Sequence, residues 1–279
     1  MTTLAALVTV YHRIVPEELS EALESLAAQT RPADEIVIVE DGPVGDRLRA
    51  VIDAFVDKRP EARTVVLARN QGSGPASAAG MATITSTFVA RLDADDIAAA
   101  DRFARQLDWF AAHPELDVLG TSVTELNNAA VRAGASLEEA AGKVRALPEH
   151  HDAITRYLRI NSPVNHPSVM MRTAAVVEAG GYRDVHHMED YDLWARLLAG
   201  GARFHNLSEP LTYFRVSPEQ FARRTGKGMF AAERQMQRNL VSYGLISRPR
   251  AVVNLVVRTA YRLLPAGLLT HVYGRLFHR

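Results

Sequence analysis

The sequence predicts an α/β fold, a mostly parallel sheet with helices on both faces, followed by a basic helical tail at the C-terminus. Three observations predict it. Short apolar runs rich in β-branched residues alternate with segments of helical periodicity, as expected of strands buried on both faces. Polar and acidic residues suited to chemistry cluster just after these runs, where open parallel sheets bind ligands. Charge also divides the chain: from Gln220 onward there are eleven Lys or Arg and one acid, Glu233, although the whole chain is formally neutral. The 279 residues suffice for one large domain, read as residues 1–220, and a smaller basic amphipathic helical region, read as 221–279.

The elements follow in order. Residues 4–11 read as a buried strand, and Pro16 opens a helix whose apolar face is Leu19, Leu23 and Leu26. Residues 35–39 form a second strand, stopped by Glu40-Asp41-Gly42-Pro43; a helix over 46–57 and a strand over 64–68 continue the alternation. The glycine-rich stretch 70–80 fails both nucleotide fingerprints. Ser77 stands where G-x-G-x-x-G needs its last glycine, and no Gly-Lys-Ser/Thr follows. It is expected to turn the chain and open a helix at Pro75, with Ala76, Ala78, Ala79 and Gly80 letting that helix lie close to the sheet. Direct phosphate contact is the other reading.

The chain is organised around Arg91-Leu92-Asp93-Ala94-Asp95-Asp96, which follows the strand-like run 84–89. Three carboxylates in four positions repel one another, so a fold keeps them together only where something offsets the charge. Strand alternation puts Asp93 and Asp95 on one face and Asp96 opposite. Such a turn can present hard oxygen ligands to Mg²⁺ or Mn²⁺, which usually takes one or two carboxylates plus substrate phosphates. The structural alternative, Asp95 or Asp96 capping a helix over 97–112, leaves Asp93 unexplained.

Residues 113–120 enter another strand, 127–148 are weakly periodic and read as a surface insertion, and 150–160 look helical. A loop with two prolines, 161–167, leads into a strand over 168–172 and a helix over 173–179. In Glu189-Asp190-Tyr191-Asp192-Leu193-Trp194 the acids fall at a helix start, where the macrodipole favours carboxylates. They are either an N-cap or a general base facing the crevice. His186 and His187 lack H-E-x-x-H spacing, which argues against zinc.

Zero cysteines excludes disulfides and thiolate metal sites and fits a reducing cytoplasm; the N-terminus lacks the basic start of a signal peptide. The tail reads as helices over 229–244 and 251–264. Arg258 interrupts the second, so no stretch reaches the roughly 20 apolar residues that span a bilayer. Its Val252, Leu255, Val256 and Leu263, set against Arg250, Arg258 and Arg262 and followed by Tyr273 and Phe277, suit peripheral contact with an anionic membrane on the inner face of the cell. Packing on the acidic body, or a dimer contact, is the alternative. No nucleic-acid motif accompanies the basic residues, so no nucleic-acid partner is expected.

In this order and spacing the motifs resemble the inverting glycosyltransferases of family 2, over residues 4–220, which implies the GT-A fold. Val8-Thr9-Val10-Tyr11 resembles the family's first strand, whose end flanks the nucleobase, so Thr9 and Tyr11 fall at the nucleotide. Val39-Glu40-Asp41-Gly42 resembles its Val-Asp-Asp-Gly turn, which implies that Asp41 bonds a uracil or thymine imide. Leu92-Asp93-Ala94-Asp95-Asp96 resembles the ribose and metal motif, with Asp93 and Asp95 at the nucleotide and Asp95 and Asp96 at Mn²⁺ or Mg²⁺. Asn165-His166-Pro167-Ser168 resembles the segment beside donor sugar and acceptor, and Glu189-Asp190 implies Asp190 as the catalytic base. Ala78 replaces the family's usual Asn, and Ser217 stands where relatives often place a His, a possible third metal ligand. The resemblance implies metal-dependent, inverting transfer of a sugar from a UDP- or dTDP-linked donor to a glycan or lipid-linked acceptor in bacterial cell-surface polysaccharide synthesis. A non-catalytic donor-binding scaffold and a sugar-nucleotide pyrophosphorylase are the alternatives. The intact acids count against the first; against the second, Tyr11-His12-Arg13-Ile14 stands where it needs a basic glycine-rich loop.

Overall fold

The computed structural model describes residues 2–216 and 228–262. β1 (Leu4–Val10) pairs in parallel with β2 (Glu35–Glu40) and β4 (Phe88–Asp93), and β2 pairs in parallel with β3 (Ala62–Val66). Successive β1 side chains enter different cores, as the two-residue period of a strand requires. Leu4, Ala6, Val8 and Val10 pack with Leu19, Leu23 and Leu26 of α1 (Pro16–Ala27) and with Leu48 and Ile52 of α2 (Asp46–Val56). Ala5 and Leu7 pack on the other face with Ala76 of α3 (Ser73–Met81) and with Trp194. Gly80 is what lets α3 lie so close: a Cβ there would collide with Leu7 and stand 2.7 Å from Val39 Cγ2.

Past β4 the sheet is mixed. β8 (Met170–Arg172) runs antiparallel to β4, and β6 (Val118–Asn127) antiparallel to β8. β9 (Phe204–Val216) is parallel to β6, while β5 (Ile97–Ala98) and β7 (Ala141–Arg145) add antiparallel edges, giving the order β3-β2-β1-β4-β8-β6-β9-β5 with β7 on β6. The long ladders, β1–β2, β1–β4, β2–β3 and β6–β9, are parallel, and the short ones past β4 are antiparallel, so the sheet is mostly parallel with a mixed second half.

Several expected boundaries move. The strand expected over 84–89 is Phe88–Asp93, because pairing sets Leu4 opposite Phe88 and Thr9 opposite Asp93. The helix expected over 97–112 is α4 (Arg102–Ala112), because Ile97 and Ala98 are drawn into β5 by Tyr213 and Thr212. Its N-cap position is Asp101, so neither Asp95 nor Asp96 is the cap. The insertion over 127–148 is two short helices, α5 (Asn128–Arg132) and α6 (Leu137–Ala140), returning along β7; Ser136 and Glu139 form a capping box on α6. α7 (His151–Leu158), α8 (Thr173–Glu178) and α9 (Glu189–Ala199) complete the second half.

The described part of the tail packs on the body. α10 (Met229–Ser242) buries Met229, Ala232, Met236 and Leu240 in the core that holds Trp194 and Leu197. Buried Asp192 of α9 accepts hydrogen bonds from Asn239 Nδ2 (2.7 Å), the Tyr243 hydroxyl (2.8 Å) and Arg196 Nε (2.8 Å). In α11 (Arg248–Arg262) Val252, Val253, Val256 and Val257 are exposed, as an outward apolar face requires, but Asn254 is buried and Arg258, expected on the polar face, turns inward. The cause is Glu233, fully buried on α10, whose charge requires a cation beside it. The 220/221 boundary, Ser217, Leu263, Tyr273 and Phe277 lie outside the described residues. Among the described residues no helix is long and apolar enough to cross a membrane.

Candidate active site

A cavity of about 450 Å³ opens at the carboxyl ends of β1, β2 and β4, a volume within the range of small-ligand sites. Thr9 and Tyr11 line it from the end of β1, Asp41 from the end of β2, and Asp93 and Asp95 from the end of β4. Asp41 is held by the glycine-rich loop: its Oδ1 accepts from the Gln71 amide (2.7 Å) and its Oδ2 from the Gly72 amide (2.8 Å). Each oxygen keeps a second lone pair for a ligand N–H. Gly42 makes this approach possible, since at φ +81° its Cβ would enter the backbone of Arg69 and Asn70. The loop's helix begins at Ser73, two residues before Pro75, so residues 71–76 themselves line the cavity.

Arg91 is a site residue that sequence reasoning quoted without giving it a role. Buried within β4, its Nη2 donates to Thr9 Oγ1 (2.7 Å) and stands 3.2 Å from Asp93 Oδ1, so one cation fixes both cavity side chains. The available signal was an arginine inside an apolar strand, which cannot be buried there without a partner. Arg102, also buried, locks the same corner by donating to the carbonyls of Arg91 (2.8 Å), Pro167 (2.9 Å) and Val169 (3.2 Å), and burial lowers its pKa to about 9.

The acidic turn closes with the Asp96 amide donating to the Asp93 carbonyl (3.1 Å). Asp93 and Asp95 share the cavity wall, whereas Asp96 turns inward. Its Oδ1 accepts from the Arg215 amide (2.9 Å), and its Oδ2 is buried with no hydrogen-bond partner among the described residues. Burial, then Asp95 and Asp93, push the Asp96 carboxyl well above the usual carboxylate range. Among the described residues no group of three or more His, Cys, Asp or Glu is arranged to hold a metal by itself. Two cavity carboxylates backed by an unpartnered carboxylate oxygen do fit a hard divalent cation whose remaining ligands are substrate oxygens and water.

Glu189 of α9 lines the same cavity, and Asp190 stands next to it but is not among the lining residues. The N-cap position is Met188, whose side chain makes no cap bond, so neither acid is the N-cap residue of α9. Asp190 Oδ2 accepts from Ser162 Oγ at 3.3 Å. Burial, and then the neighbouring Glu189, push Asp190 up to about 7, and burial raises Glu189 as well. His166 lies beneath, its Nε2 2.9 Å from the Tyr182 hydroxyl; burial, then Arg91, lower it to about 3, so the imidazole is neutral. Asn165 does not face the cavity. Its Nδ2 donates to the Thr121 carbonyl (2.9 Å) and its Oδ1 accepts from Arg145 Nε (3.0 Å).

Residues 6–181 match the family model described as glycosyl transferase family 2. The amylovoran biosynthesis glycosyltransferase AmsE of Erwinia amylovora is 33% identical over 271 residues, 97% of this chain and 98% of that protein. A UDP-Gal:α-D-GlcNAc-diphosphoundecaprenol β-1,3-galactosyltransferase of Escherichia coli is 30% identical over 275 residues, 99% of this chain and 96% of that one. Among solved structures, S. aureus TarS residues 1–349 in complex with UDP-GlcNAc superposes with a TM-score of 0.65 at 18% identity, covering 94% of this chain and 72% of that one. A mannosyltransferase from Pyrobaculum calidifontis, in complex with GDP-Man and Mn²⁺, gives 0.62 at 16% identity, covering 98% and 79%. These two likenesses are of fold, and they agree with the mixed α/β, GT-A arrangement built above. With the family model spanning well over half of it, this chain belongs to glycosyl transferase family 2.

Proposed function

We propose that the chain transfers a hexose from a UDP- or dTDP-linked donor to a hydroxyl of a lipid-linked glycan in cell-surface polysaccharide synthesis, with inversion at the anomeric carbon. The observation that carries this is one cavity lined by Asp41 and Asp93–Asp95 at the strand ends and by Glu189 at the start of α9, with Asp190 beside it. Thr9 and Tyr11 flank the base, Asp41 takes the imide N–H on a free lone pair, and Asp93, fixed by Arg91, takes the ribose. Asp95 with Asp96 would hold Mn²⁺ or Mg²⁺, which when bound supplies Lewis-acid neutralisation of the leaving diphosphate. Asp190 accepts the acceptor hydroxyl's proton as the new C–O bond forms and the bond to the diphosphate breaks. Single displacement then turns an α-linked donor into a β-linkage.

The names of two relatives support this reading: the Escherichia coli enzyme acts on a GlcNAc-diphosphoundecaprenol, and the Erwinia protein serves amylovoran biosynthesis. Such an acceptor suits a cytoplasmic enzyme held at the inner membrane face, and the four exposed valines of α11 give that surface an apolar contact. A panel of UDP-galactose, UDP-GlcNAc, dTDP-glucose and GDP-mannose, each with and without Mn²⁺, tests the donor. A UDP- or dTDP-sugar at 100-fold its Kd should add about 2.7 kcal/mol of stability, a shift of about 5 °C or more, and more with Mn²⁺ than without. Stabilisation by GDP-mannose alone would overturn the Asp41 assignment.

A further inference from the structure

The reading above leaves α11 without a part in the reaction, yet three of its contacts lead to Asp190. After α7 the chain turns back through residues 159–162. Asn254 Nδ2 donates to the Arg159 carbonyl (2.7 Å), and Arg258 Nη1 donates to the Ile160 carbonyl (2.6 Å) and to Asn161 Oδ1 (3.1 Å). The next residue is Ser162, whose hydroxyl lies 3.3 Å from Asp190 Oδ2 and 3.4 Å from the Val164 carbonyl, and donates to the carboxylate when Asp190 is ionised. Ile160 is 46% exposed, so this turn is not anchored by burying its large apolar side chain. Its amides are held locally, Ile160 and Asn161 N–H donating to the Tyr157 carbonyl (2.8 and 2.9 Å), while its carbonyls at Arg159 and Ile160 take donors from α11. Those donors are themselves fixed: Arg258 Nε stands 2.5 Å from Glu233 Oε1, Gln237 Nε2 donates to the same oxygen (3.3 Å), and Asn254 Nδ2 donates to Gln237 Oε1 (3.0 Å).

We infer that Arg258, assisted by Asn254, is a positioning residue for the transfer reaction, fixing the 159–162 turn so that Ser162 holds Asp190 in the orientation that accepts the proton. The inference rests on Asp190 being the base. Its rival is that Arg258 only neutralises buried Glu233 and so contributes stability alone. Removing Arg258 by itself would leave Glu233 buried and uncompensated, at a cost that could unfold the chain. The informative variant is therefore Arg258→Met with Glu233→Gln, which removes both charges and keeps both side-chain lengths.

The full chain is assayed with UDP-galactose and a GlcNAc-diphosphate lipid, or with the donor that stabilises it most in the panel above. The double variant should keep its circular dichroism and its donor KM within about twofold, while kcat falls about 10- to 100-fold, as small misplacement of a catalytic group does. Ser162→Ala should cost about tenfold in the wild-type background and nothing further in the double variant, because both changes break one chain of contacts. Amide exchange over 159–162 should quicken in the double variant even without substrate. Arg258→Lys, which still neutralises Glu233 but offers a poorer fork, should fold normally and recover only part of kcat. A folded double variant with wild-type kcat, or Ser162→Ala costing the same factor in both backgrounds, overturns the inference. Asp190→Asn separates the two layers: if it transfers at near-normal rate the base assignment fails, and if it is inactive beside an unimpaired double variant the clamp alone fails.

Discussion

Asp190→Asn will lower transfer by about 10²- to 10⁴-fold, the span general-base catalysis supplies, while donor affinity stays within about twofold. Asparagine keeps the shape of the side chain and an oxygen for Ser162 Oγ, but it cannot take the acceptor's proton. A capping role would predict little loss of rate, since asparagine satisfies helix-start amides as aspartate does. The same carboxyl sets the pH dependence. Burial, with Glu189 beside it, pushes Asp190 up to about 7, and the base works only when ionised, so kcat falls as pH drops through about 7. Stability runs the other way. The folded pKa is raised above the unfolded one, so the stability conferred by the neutral carboxyl is present at low pH and lost as pH rises through about 7. Asparagine mimics the neutral form, so the Tm of Asp190→Asn should gain on wild type between about pH 4 and pH 8. Thermal scans beside pH–rate profiles check both signs, and a near-normal rate for the variant would return Asp190 to a structural role.

Asp95→Ala should cost about 10²-fold or more in kcat and abolish the response to added Mn²⁺, because a cavity-lining carboxylate is lost without disturbing the core. Asp96 requires a different variant. Its Oδ1 accepts from the Arg215 amide, so Asp96→Ala would confound lost chemistry with a loosened end of β9. Asp96→Asn keeps an acceptor for that amide and should retain Tm while weakening the Mn²⁺ response. Titration of activity against Mn²⁺ after chelation measures both; full activity of the wild type in excess chelator would overturn the metal assignment.

The alternating half of the fold was legible because its strands are buried on both faces and read as apolar runs, and because Leu19, Leu23 and Leu26 mark a helix face. The division of the acidic turn, Asp93 and Asp95 on the cavity wall and Asp96 turned inward behind them, was anticipated, although β4 ends at Asp93 and the turn closed by the Asp96 amide, not strand alternation, sets the last two. What escaped depends on pairing across long sequence separation. Ile97 and Ala98 look helical until β9 claims them more than a hundred residues later, and only the Leu4–Phe88 register locates the start of β4. The inward turn of Arg258 has the same origin: the exposed valines of α11 were legible as an apolar face, but Arg258 reads as part of the polar one until buried Glu233 on α10 draws it inward. Arg91 and Arg102 were visible as letters, but their partners, Thr9 and the carbonyl of Pro167, become neighbours only in the folded chain.

The stereochemistry of the product tests the central claim most directly. Proton NMR of the anomeric signal, followed from the first turnover of an α-linked UDP-hexose with a lipid-linked acceptor, reads it directly. Single displacement assisted by Asp190 predicts a β-glycoside as the first product, formed about 10²- to 10⁴-fold more slowly by the variant Asp190→Asn. An α-glycoside as the first product would contradict the account.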